Sequence, residues 1–291
     1  MEKITAQGPH IFVVSVAFCG VLNLVCAHSV FMGISAAPHL PVMPWIPALP
    51  WLAYVTGFIY LVPSILLLLN KRGQLMATLL GVIFVLAALT LVPFAVIKPL
   101  GIGPRTIVFE SLALAGGSFV LAGTLREQSD FGLSAELSDN VGRWLFALSL
   151  VVFGIDHLLM LEGIASLIPF WIPGKLFWAW FTALAFIASG LSIAFKWHGR
   201  IGASLIGWMF MVWVLVLHGP RTVGLLSAGA GPHSPAEWSS LFIALGICGA
   251  GWICSRSPAL SMKLTSGSNR GSASARSSSG DVDSHWSEGV G

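Results

Sequence analysis

The sequence predicts an all-α membrane protein with eight transmembrane helices arranged as two parallel four-helix repeats. Three observations carry this. Of 291 residues, 56% are apolar and 9% charged, where soluble domains carry about 25% charged residues, and the mean hydropathy is +0.85. Apolar runs of the length that crosses a hydrocarbon core of about 30 Å at about 1.5 Å per residue recur eight times. The chain also repeats itself. A shift of 126 residues lays Trp45-Ile46-Pro47 on Trp171-Ile172-Pro173, and continues through Thr56 on Thr182, Gly73 on Gly199, Gly81 on Gly207 and Phe84 on Phe210.

In chain order the predicted spans are 11–32, 51–69, 74–92, 107–125, 142–161, 176–195, 201–218 and 237–255. Breakers separate them: Asn70 to Gly73, Lys98 to Pro104, Lys196 to Gly199, and Gly219-Pro220. Pro63 falls inside the second span, where it removes one backbone donor and predicts a bend. The first span follows a single Lys without a small-residue cleavage site and reads as a retained helix. For the first and fourth spans of each half the repeat register becomes 129, which brings His28 onto His157 and Ser111-Leu112 onto Ser240-Leu241. Four spans per half give both halves the same orientation, a parallel repeat about an axis along the membrane normal.

The domain reading follows. Residues 1–124 form the first repeat, the polar stretch 125–141 a cytoplasmic linker, and 142–255 the second repeat. Residues 256–291 are rich in Ser, Gly and charge and poor in apolar surface, and predict a disordered tail. Lys and Arg number eleven on the side that holds both termini and four on the other, so both termini are expected to be cytoplasmic, in a bacterial-type inner or cell membrane.

Several function classes find no support in the residues. The four cysteines, Cys19, Cys26, Cys248 and Cys254, lie in apolar runs without metal-type spacing, so no metal site is predicted. No phosphate-binding loop, zinc motif or nucleophile triad is present, and no basic run fits nucleic acid. The lipid bilayer is the one partner the composition demands. Tryptophans at 45, 51, 171, 178 and 238 on one side, and 144, 197 and 252 on the other, read as interfacial anchors. Glycines such as Gly81, Gly116, Gly207 and Gly249 read as helix-packing residues.

The candidate chemistry lies at the outer ends of the spans, where His28, Glu110, Asp156, His157, Glu162, His218 and Arg221 fall. Ionisable groups at membrane depth are costly, and they pair with one another or face a cavity. The functional reading makes His157 a proton acceptor or hydrogen-bonding residue with Asp156 or Glu162 as its partner, pointing into the second bundle. His28 and Glu110 are expected to do the same in the first bundle. The structural reading leaves these groups in the headgroup region, with Glu110 paired to its sequence neighbour Arg105.

The residues Arg143-Trp-Leu-Phe, Phe153-Gly-x-x-His157, Ile168-Pro-x-Trp-Ile-Pro173 and Phe177-Trp178 resemble the DoxX/DoxD-like family of four-helix membrane proteins. The resemblance covers 142–255 best and reaches the first half through the repeat. It implies a four-helix unit, here duplicated, associated with redox enzymes such as the thiosulfate:quinone oxidoreductase membrane subunit. A quinone is thus the ligand, and a redox protein the partner, that the resemblance implies. The first half departs from the pattern, with Val14 in place of Arg143 and Ala27 in place of Asp156, so a site is expected in the second half. The other two readings are a scaffold that recruits a partner enzyme and a small-solute permease. On the predicted topology, a reporter fused after Gly291 should read cytoplasmic and one inserted at Gly163 external; an external carboxyl terminus sinks the span count or the charge argument.

Overall fold

A computed structural model describes residues 2–31, 50–97, 102–125, 133–224 and 235–260, and among them every regular element is helical. The long helices are α1 (Gly8–Phe31), α2 (Pro50–Leu68), α3 (Gly73–Ile97), α4 (Ile102–Thr124), α5 (Ala135–Leu159), α6 (Lys175–Ala194), α7 (Gly199–Trp213) and α8 (Pro235–Cys254). Six of them, and α7 together with its continuation to Thr222, are long and apolar enough to cross a membrane, and α2 adds the shorter apolar stretch Ala53–Leu68. The chain is therefore an all-α membrane protein. Helix α2 runs through Pro63 without interruption.

Each long helix packs on its neighbours in sequence, and α8 returns to α1, so the helices close a ring with α4 and α8 crossing in the middle. In lipid, association relies on close packing. At the α4–α5 contact a methyl group added to Gly116 would sit 2.7 Å from the Gly142 carbonyl oxygen. The α8–α1 contact is built alike, since a methyl group on Gly249 would lie 2.9 Å from the Gly8 carbonyl oxygen. The turns between α2 and α3 and between α6 and α7 also match. Asn70 and Arg72 adopt left-handed φ of 53° and 49°, and Lys196 and His198, 126 residues on, adopt 58° and 55°.

The structure corrects several sequence-based boundaries. Residues 135–141, expected as linker, form the first two turns of α5. Ser134 caps them by accepting from the Leu137 amide at 3.3 Å, and Glu136 complements the helix dipole, so a polar stretch becomes helical. Helix α4 begins at Ile102, inside the expected breaker, because Pro104 lies in a first turn that has no amide bond to lose. The seventh span passes through Gly219-Pro220 and ends at Thr222.

Part of the expected disordered tail is ordered. Pro258–Leu260 form a 3-10 turn held by Asp139, whose Oδ2 accepts from Ser257 Oγ at 2.8 Å and the Ala259 amide at 2.9 Å. The remainder, from 261 on, lies outside the described residues. At the same end Arg143 is buried and donates to the Ile193 and Ala194 carbonyls at 3.0 and 2.7 Å, closing the carboxyl end of α6. Trp252, expected as an anchor, is 0% exposed, because Gly207 leaves a slot that its indole fills. Trp51, Trp144, Trp171 and Trp197 are exposed, and Trp45 lies outside the described residues.

Gly116→Leu should destabilise the protein by about 1–3 kcal/mol or more through overpacking. Gly163→Leu, where an added methyl meets nothing closer than 3.5 Å, should stay within about 0.5 kcal/mol of wild type. Thermal unfolding in detergent separates the two.

Candidate functional site

At the end of the bundle where α5 finishes lies a cavity of about 220 Å³. Its polar lining comes from Thr106 and Glu110 on α4, His157 on α5, Thr182 on α6, His218 after α7 and Ser240 on α8. The rest is apolar and aromatic, with Phe153, Phe186, Phe210 and Trp213 on the walls and Ile164, Leu167 and Ile168 from the short helix Leu161–Leu167 and its exit above.

Phe186 organises the aromatic wall. Its ring lies 5.0 Å from the His157 ring at 64°, 5.8 Å from Phe153 and 5.5 Å from Phe210. His157 Nδ1 is 2.8 Å from the Phe153 carbonyl oxygen one turn back. A carbonyl only accepts, so Nδ1 carries a proton; in the neutral ring Nε2 is then the acceptor.

His218 reaches the cavity through a break in helical regularity. Pro220 has no amide to offer the carbonyl four residues before it, and its ring crowds that carbonyl. The chain answers with a π-helical turn, Val214–His218, in which the Gly219 amide bonds the Val214 carbonyl five residues back. Thr222 Oγ1 donates to the His218 carbonyl at 2.7 Å and regular helix resumes. Sequence reasoning took Gly219-Pro220 as an end; the single missing amide was the signal for a wider turn.

Two ion pairs hold the walls. Asp156, 4% exposed, pairs with Arg105 of α4, and its other oxygen accepts from Thr106 Oγ1 at 3.1 Å. The cation expected beside Glu110 thus crosses to the second half. Arg221 meets Glu237 through two hydrogen bonds of 3.1 and 2.6 Å, joining the end of α7 to the start of α8.

The expected residues separate into three groups. Glu110, His157 and His218 share the cavity. Glu110 faces it together with α5 to α8, a correction to the expectation that it serves the first bundle. Asp156 lies behind the wall, in its ion pair, and is no hydrogen-bond partner of His157; Glu162 is exposed on the short helix and does not line the cavity. The side chain of His28 lies outside the described residues. Thr182, Ser240 and Thr106 were missed because a small hydroxyl in an apolar run carries no signal of its own.

No protein-family model, curated protein or solved structure matches this chain. What the cavity does is therefore read from its own residues. Glu237→Ala, which strands a side chain only 12% exposed, should cost about 3 kcal/mol, while Arg221→Met with Glu237→Leu restores most of it. Equal losses in the single and double variants, measured by denaturation in detergent, would show that the pair does not hold these helices.

Proposed function

We propose that the cavity holds the ring of a quinone-type molecule and that the chain is the membrane subunit of a quinone-linked redox system. The observation that carries this is the convergence of Glu110, His157 and His218, from three helices, on a cavity of about 220 Å³ whose other walls are mainly apolar and aromatic. Size sets the ligand class. An apolar cavity of about 150 Å³ takes benzene, so this one has room for a single substituted ring. The aromatic walls favour a flat ring, and the ionisable groups supply hydrogen bonds and protons to its oxygens. Electrons come, in this reading, from a partner redox protein, and the chain's own task is to bind, orient and exchange protons. The DoxX/DoxD-like pattern around Arg143 to Trp178 points the same way.

The proposal includes the architecture: eight spans in two parallel four-helix units, both termini cytoplasmic. Three features support the duplication. The order of helix contacts is unchanged when α1–α4 and α5–α8 are exchanged. The glycine contact between α4 and α5 recurs between α8 and α1. The left-handed pairs at 70/72 and 196/198 recur at one spacing. These glycine contacts set a register of 134 for α1 on α5 and 133 for α4 on α8, about one helical turn from the 129 read in the sequence.

Protein purified in mild detergent should carry a quinone, detectable in its lipid extract at near one per chain. His157→Ala should lower that content at least tenfold, and Glu162→Ala should leave it unchanged. A wild-type extract free of quinone, from cells that make it, removes the reading.

A further inference from the structure

The chain contains two versions of one local arrangement, and they differ in a single way that points to how the cavity grips its ligand. In the first half a methyl group added to Gly20 of α1 would lie 2.8 Å from the Gly57 carbonyl oxygen of α2. In the second half a methyl group on Gly154 of α5 would lie 2.7 Å from the Ala183 carbonyl oxygen of α6. Three residues beyond each glycine stands a polar side chain, Asn23 or His157; one residue before each carbonyl stands a threonine, Thr56 or Thr182. These two positions therefore face each other across the same helix contact in both halves.

The first half closes the arrangement on itself. Asn23 Nδ2 donates to Thr56 Oγ1 at 3.2 Å, and Thr56 donates to the Ala53 carbonyl at 3.1 Å. The second half leaves it open. His157 is drawn back onto the Phe153 carbonyl, and Thr182 Oγ1, on a residue only 5% exposed, has no hydrogen-bond partner among the described residues. Both side chains line the cavity. A buried hydroxyl left without a partner costs about 1–3 kcal/mol, and mid-helix threonines normally satisfy themselves on a carbonyl of the preceding turn, as Thr78 does on Gln74.

We propose that Thr182 and His157 together grip one hydroxyl of the ring ligand, which accepts from Thr182 Oγ1 and donates to His157 Nε2. This rests on the reading of the cavity as a ring-binding site and adds its polarity. Nδ1 is already the donor to Phe153, so the neutral imidazole offers the ligand an acceptor, and threonine offers a donor. A hydroxyl satisfies both. A carbonyl oxygen can accept from Thr182 but has nothing to donate to Nε2. The site consequently prefers the quinol to the quinone of the same ring.

The test uses full-length protein in detergent, with duroquinol and duroquinone as probes under anaerobic conditions and 4-ethylphenol as a hydroxyl-bearing ring outside the quinone class. Wild type should bind duroquinol several-fold more tightly than duroquinone. Thr182→Val, which keeps the shape and removes the hydroxyl, should weaken duroquinol and 4-ethylphenol roughly tenfold, the order expected for one buried hydrogen bond. Thr182→Ser should stay within about twofold, and Thr56→Val, the same change in the closed copy, should leave both affinities unchanged. Wild-type affinity in Thr182→Val, or equal affinity for quinol and quinone, overturns the grip while leaving quinone binding standing. If neither duroquinol nor duroquinone binds wild type but 4-ethylphenol does, with loss in Thr182→Val, the grip stands and the quinone reading falls. No binding of any of the three overturns both.

Discussion

Backbone contact at glycines is the constraint on which this bundle depends. Lipid tails are as apolar as the helix faces they cover, so two membrane helices gain little from apolar surface alone and adhere through close packing. At Gly116 against Gly142 and at Gly8 against Gly249 main chain meets main chain without an intervening side chain. Those contacts tie α4 to α5 and α8 to α1, the two seams where the halves of the chain meet. Everything placed between the halves, the cavity included, inherits its geometry from them.

Within that frame the polar groups are few, and most are committed. Arg143 closes the end of α6, Asp139 holds the turn after α8, and Arg221 and Glu237 hold each other. Such commitments are what a low-dielectric setting demands of a charge or a donor. Among the described residues the hydroxyl of Thr182 departs from that rule, as do Ser118 Oγ and the indoles of Trp208 and Trp252, and of these four groups Thr182 lines the cavity where three helices bring ionisable side chains together. A polar group left open inside a membrane protein is a stronger sign of function than its chemistry alone.

Much of the fold was legible in the sequence because length and hydropathy dominate it. The long helices fall close to the apolar runs, and their errors have local causes. Ser134 and Glu136 turn a polar stretch into helix, and Pro104 is tolerated in a first turn. The site was legible only in part. Glu110, His157 and His218 stand out as ionisable residues in apolar runs, and their convergence follows from sharing one end of the bundle. The ion pair of Asp156 with Arg105, 51 positions away, could not be read from local spacing. The letter match of His28 with His157 and the glycines that touch give registers about a turn apart, since helix packing is indifferent to which residues look alike.

The ion pair between Arg105 and Asp156 has a consequence for how this chain can be divided. Asp156 belongs to the second four helices and its cation to the first, and Thr106 and Glu110, which wall the cavity, travel with that cation. A fragment holding only α5 to α8 would carry a carboxylate without its counter-ion and a cavity open on one side. The cavity is thus complete only with α4 in place, since that helix supplies Thr106, Glu110 and, through Arg105, the counter-ion of Asp156.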